Sequence, residues 1–156
     1  MTKAQTCLGD LAGIDMFEPV MQIKINDFND PKYPEMWGLY NRAYKGFDIN
    51  VTKVWEEYTT GNPDVIVSVV DNGIDLSHED LSANCLQSGK HYNAVNNNNY
   101  IKPGDHGTHV AGTIAAVSNN NKGVAGVAGG DHAKGQKGVK LMSCQIFVTN
   151  DDGSTT

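Results

Sequence analysis

Apolar and polar positions change rhythm several times along this chain, and each change predicts an element. Residues 65–70 read VIVSVV, a nearly unbroken β-branched run lying between Pro63 and Gly73. With no polar face alternating through it, the run predicts a strand buried on both faces of a parallel sheet. Asp71 closes it and the turn residues Asn72 and Gly73 follow. A carboxylate therefore stands at the carboxyl end of the strand, where open α/β sheets gather ligands. A second apolar stretch, VKLMSCQIFV at 139–148, predicts a parallel neighbour. The segment HVAGTIAAV at 109–117 supplies the crossover helix between the two. Val110, Ala111, Ile114, Ala115 and Val117 put small or apolar residues most of the way round that helix, so burial between layers is expected.

Upstream the rhythm is weaker. VTKVWEEYTTGNP repeats apolar residues at Val51, Val54, Trp55 and Tyr58, predicting a short amphipathic helix stopped by Gly61 and Pro63. Before it, FNDPKYPEMWGLYN carries two prolines and four aromatic residues, which suits an extended arm laid over a surface. Residues 1–28 show no clear period beyond a candidate strand at VMQIKI and read as a connector or the tail of a preceding segment. Residues 29–156 form the structured unit.

Composition narrows the function classes. The 156 residues suffice for one domain with a core. Eighteen acidic residues against twelve Lys and Arg give a net charge of −6, with no basic run to track a phosphate backbone, which argues against nucleic acid as a partner. No apolar run is long enough to span a bilayer. The N-terminal MTKAQTCLGDLAGID has no apolar core of a signal peptide, so an export signal would have to lie upstream or have been removed. Cys7, Cys85 and Cys144 form no C-x-x-C pair and read as small buried hydrophobes.

The chemistry concentrates in DHGTHVAG, residues 105–112. Two histidines three apart share one helix face, while Gly107 and Gly112 each cost about 1 kcal/mol against alanine in a helix interior. Close backbone approach would explain those glycines. His106, at the helix start, is a candidate proton acceptor, and Asp71 on the same sheet edge could offset the charge once a proton arrives. Asp71, Asp105, His106 and His109 also make a candidate metal-ligand set for a metal-dependent hydrolase. A third reading is a non-catalytic interaction module.

Taken together, VIVSVVDNGIDLSHEDL, DHGTHVAGTIAAVSNNNKGVAGVA and VKLMSCQIFVTNDDGST resemble the aspartate segment, the histidine segment and the following strand of subtilisin-like serine peptidases, the subtilases. The family runs Asp, His, Ser along the chain with about 32 residues between the first two, and here 106 − 71 = 35. The resemblance implies an incomplete, three-layer α/β fold with a mainly parallel sheet, corresponding to the N-terminal half of the catalytic domain. It implies that Asp71 orients the imidazole, that His106 is the general base and that His109 is structural. Asn72 stands where the family often has Ser or Thr, and its amide can still hydrogen-bond toward the carboxylate. The serine nucleophile and the oxyanion asparagine come later in the family, so residues 1–156 are expected to be inactive alone and to need the C-terminal half of the domain as a partner.

Two further sites follow from the resemblance. The asparagine-rich VSNNNKGV at 117–124, in itself an ordinary polar turn, matches the family's calcium loop. Asp30, Asp80, Asn120 and the carbonyls of Val117, Lys122 and Val124 would be the ligands, an all-oxygen set suited to Ca2+. NDDGST matches the edge strand that pairs with an extended polypeptide substrate, placing Gly153 and Ser154 there. Secretion or a cell-envelope location is implied likewise.

Overall fold

The computed structural model describes residues 28–150 together with Ser154 and Thr155. Residues 1–27 of the 1–28 connector, with its candidate strand VMQIKI and Cys7, and the substrate-edge residue Gly153 lie outside the described residues, while Phe28 is buried.

The predicted strand forms as β1, Ile66–Asp71, and pairs in parallel with β5, Lys140–Gln145, in a register that sets Ile66 beside Lys140 and Asp71 beside Gln145. A two-residue strand β2, Tyr92–Asn93, joins the far side of β5, giving the order β1-β5-β2. The crossover helix is α2, Asp105–Ala115, following α1 at Val51–Glu57. It begins four residues earlier than the apolar pattern suggested, because the backbone turns helical from Asp105, before the first apolar side chain. A hairpin of β3, Gly130–Asp131, and β4, Gln136–Lys137, stands apart from the main sheet.

Burial departs from the sequence expectation in one consistent way. β1 is covered on one face only: Val69 and Asp71 are buried, whereas Ile66 and Val70 are each 56% exposed. The α2 helix, Leu81 and Val139 pack on the covered face, and among the described residues no helix lies on the other. Two of the three expected layers are thus present. α2 shows the same asymmetry. Gly107, Ala111 and Ala115 are buried at four-residue intervals while Asp105, His109 and Thr113 face outward, so the helix is one-sided and not buried all round.

The aromatic segment does more than cover a surface. It turns through a 3-10 helix at Tyr33–Glu35, and Phe28, Tyr33 and Leu39 join Val51, Trp55 and Ala125 in a second core. Phe28 and Trp55 pack at a ring-centroid distance of 4.7 Å, and the Trp55 indole donates to the Val127 carbonyl at 2.8 Å. In α1 only Val51 and Trp55 are buried; Val54 and Tyr58 face solvent because seven residues present a narrow stripe. No helix among the described residues is long and apolar enough to cross a membrane.

Candidate active site and candidate cation loop

Asp71 ends β1 with its backbone carbonyl still in the sheet, accepting from Ile146. Its carboxylate is buried and fixed from two directions. The Asn72 backbone N–H donates to Oδ1 at 2.7 Å, and His106 Nδ1 lies 2.9 Å from Oδ1 and 2.8 Å from Oδ2. Those distances fit a proton on Nδ1 shared with the carboxylate, which leaves Nε2 as the acceptor. The two side chains differ sharply in exposure, 12% for Asp71 and 71% for His106, so the base faces outward while its orienting group stays protected.

Glycine makes this approach possible. A Cβ on Gly107 would run into the Gly73 carbonyl, and one on Gly104 into the Asn72 amide. Gly73 itself has φ +109°, with a Cβ blocked by the Lys102 carbonyl. Gly107 therefore answers for its helix cost, since α2 rides directly over the turn after β1. Gly112 does not: nothing lies within 4 Å of where its Cβ would be, which corrects the expectation that both glycines serve packing.

Asn72 plays a part different from the one expected. Its side chain turns away from Asp71: Oδ1 accepts from the Gly107 N–H at 2.8 Å, and Nδ2 donates to Thr149 Oγ1 at 3.0 Å. Only its backbone serves the carboxylate. Asn72 thus ties the start of α2 to the loop after β5, where Thr149 bridges antiparallel to Thr155 and exposed Ser154 lies beside it.

The metal-ligand cluster does not converge. Asp105 and His109 line a cavity of about 560 Å³ with Asp75, His78 and Thr108, and neither Asp71 nor His106 lines it. Among the described residues, no three His, Cys, Asp or Glu side chains are grouped to hold a metal ion.

At the asparagine loop the structure brings together most of the expected set. Asp30 and Asp80 are each only 2% exposed. Asp30 accepts from the backbone of Asn119 and Asn120 at 2.7 and 3.0 Å, while Asp80 accepts from the Asn120 side chain at 2.8 Å and the Val124 N–H at 2.9 Å. Val117 donates its N–H to the Asp80 carbonyl. Asn119 and Asn121 adopt positive φ, the left-handed conformation that asparagine tolerates. Two features differ from the expectation. Asn120 presents Nδ2, not its oxygen, to Asp80, and its Oδ1 accepts from the Lys122 N–H. The Lys122 ammonium pairs outward with Glu79 at 3.4 Å. Burial raises the Asp30 carboxyl above its ordinary value, with the charge of Asp80 acting the same way against the pull of the two loop amides. Two buried carboxylates near one another, held by neutral amides, fit a site for a cation.

One residue is passed over by every sequence signal except its polarity. Gln145 interrupts the apolar run of β5 and is fully buried beside Asp71. Cys85 and Cys144 are free thiols, and burial pushes the Cys85 thiol up to about 11.

Comparison with known proteins bears on the family and the fold. The subtilase (peptidase S8) family model matches residues 62–155. Proprotein convertase subtilisin/kexin type 7 of Mus musculus is 43% identical over 114 residues, covering 69% of this chain and 15% of the relative. The extracellular basic protease of Dichelobacter nodosus is 37% identical, covering 65% of this chain and 21% of that protein. Among solved structures, the serine protease of Aeromonas sobria in complex with its chaperone superimposes with a TM-score of 0.62 at 26% identity, over 94% of this chain and 24% of that one. The chain thus spans a small fraction of its relatives' lengths, and within that span its sheet edge, its Asp–His pair and its sequence place it in the subtilase family.

Proposed function

We propose that this chain supplies the acid–base half of a serine endopeptidase. The observation that carries the reading is the contact of His106 Nδ1 with both carboxylate oxygens of Asp71, at 2.9 and 2.8 Å, with the imidazole otherwise open to solvent. A serine hydroxyl supplied from outside residues 1–156 attacks the peptide carbonyl carbon while His106 Nε2 takes its proton. Asp71 holds the Nδ1 tautomer and stabilises the imidazolium that forms. The same Nε2–H then protonates the departing amine, and water repeats the cycle on the acyl-enzyme. Gly153 and Ser154, in the segment that follows Thr149, are the residues we assign to pairing with an extended polypeptide, and Ser154 is exposed. Secretion or a cell-envelope location accords with the extracellular relative.

The asparagine loop we assign to structural calcium. Asp30, Asp80, Asn120 and the carbonyls of Val117, Lys122 and Val124 would hold it. What supports this is the burial of two carboxylates against neutral partners. When bound, the ion neutralises both and ties the segment around Asp30 to the loop.

The peptidase reading is tested with two proteins. Residues 1–156 alone should not turn over casein or a chromogenic peptide. The full-length protein should do so, and should lose activity to a serine-directed inhibitor. Turnover by the short chain that His106→Ala abolishes would sink the reading, as would full-length activity lost to a chelator and restored by zinc.

A further inference from the structure

Asp71 and His106 belong to different elements, and the hydrogen bond by which Asp71 orients the imidazole tolerates displacements of only about 0.5 Å. Asp71 is carried by the end of β1. His106 is carried by the first turn of α2, which the irregular segment from Tyr100 to Gly104 delivers. Something must fix that segment against the strand end, and Gln145 is placed to do it.

The side chain of Gln145 is 0% exposed, and all four of its hydrogen bonds are directed. Nε2 donates to the Asn72 carbonyl at 2.7 Å and to the Lys102 carbonyl at 3.1 Å. Oε1 accepts from the Lys102 N–H at 3.1 Å and from Asn93 Nδ2 at 3.0 Å. Asn93 in turn donates to the Tyr100 carbonyl at 2.9 Å. One amide thereby grips the carbonyl of Asn72, the residue after Asp71, and both backbone groups of Lys102, four positions before His106. A valine or leucine would continue the apolar run of β5, but it would leave those three backbone groups without a partner.

We infer that Gln145 is a positioning residue for the Asp71–His106 pair, clamping the strand end and the entry to α2 at one relative distance. The activity part of this inference rests on the peptidase reading; the geometric part does not. Other bridges between the two elements exist, the Gly107 N–H to Asn72 and the Gly104 N–H to the Gly73 carbonyl at 3.3 Å, but they act at the turn itself. Gln145 joins the approach to the helix, at Lys102, with the turn after β1 and with Asn93 of β2.

The test uses Gln145→Met, which keeps the length and removes all four bonds, and Gln145→Glu, which keeps the acceptor pair and, as a carboxylate, loses the donors. The first readout is the Nδ1 proton resonance of His106 in histidine-labelled chain, with folding followed by circular dichroism. The second is kcat and KM of the full-length protein. In folded Gln145→Met the downfield Nδ1 proton signal should disappear and kcat should drop by up to about 100-fold with KM little changed. Gln145→Glu should show a smaller loss that is relieved as pH falls and its side chain regains a donor. Folded variants with the His106 signal and kcat both unchanged would overturn the inference. So would loss of folding in both, which would make Gln145 a support of the whole sheet. If the signal is lost as expected but no form cleaves peptides, the positioning role stands and the peptidase reading falls.

Discussion

Asp71 and the Asp30–Asp80 pair are all buried, yet they are matched in opposite ways. Asp71 meets a titratable partner from the same chain, His106, and that partner opens to solvent. Among the described residues Asp30 and Asp80 accept hydrogen bonds from amides alone, and they meet each other's charge. A buried carboxylate with a proton-accepting neighbour can do chemistry, because its charge becomes useful when the neighbour is protonated. A pair with no cationic neighbour stores repulsion that an external cation relieves. The difference separates the edge proposed for catalysis from the loop proposed to hold a cation.

The comparison breaks most visibly at Asp71. Asp71→Asn in the full-length protein should lower kcat by about 10⁴-fold, because an amide no longer holds the Nδ1–H tautomer. Steady-state peptide hydrolysis measures this, and a loss of under tenfold would mean that the pair does not act as proposed.

At the loop the expected effect is on stability. Calcium at about 100 times its Kd should stabilise the folded chain by about 2.7 kcal/mol, and Asp80→Asn should remove most of that gain. Melting curves in EGTA and in millimolar calcium decide the matter; identical curves for folded protein would reduce the loop to a polar turn.

Glycine substitutions compare the two faces of α2. Gly107→Ala drives a methyl group into the Gly73 carbonyl and should cost about 1–3 kcal/mol, while Gly112→Ala points into open space and should gain about 0.5–1 kcal/mol. Denaturant midpoints at constant slope would show the opposite signs.

The smallest effect is a slope with pH. Asp30 has its folded pKa raised above 3.8, so its contribution to stability is fully present below 3.8 and is lost as pH rises through the folded value. Asp75 and Asp131 behave in the opposite sense. The Ser77 hydroxyl holds Asp75 low; burial opposes ionisation of Asp131, but hydrogen bonds from Lys134 and Asn119 outweigh it. Their contributions are present above 3.8 and are lost below it. In cation-free protein Asp30 should therefore pull stability down as pH rises above 3.8, against Asp75 and Asp131, and Asp30→Asn should make stability climb more steeply with pH than in the wild type, as denaturant midpoints measured against pH would show.

Much of this was legible in the sequence, and for physical reasons. A β-branched run ending in aspartate and a helix opening on histidine locate β1, α2 and the Asp71–His106 edge, because local pattern alone fixes where each side chain leaves its element. The one-sided burial of β1 was not legible. VIVSVV looks the same whether one face or both are covered, and coverage depends on which other segments pack there. Gly107 and Gly112 are indistinguishable in sequence, and only the path of the Gly73 carbonyl separates them. Gln145 was hidden for the same reason: its four partners come from three distant segments.

The central claim is that His106, oriented by Asp71, activates a serine that lies outside residues 1–156. The most direct measurement is the rate at which a serine-directed phosphonate labels the full-length protein, compared with its His106→Ala variant. The account predicts a single labelled serine, in a peptide beyond Thr156, and labelling slowed by several orders of magnitude in the variant. Labelling at equal rates in both proteins, or peptide hydrolysis by a protein in which no serine is labelled, would contradict it.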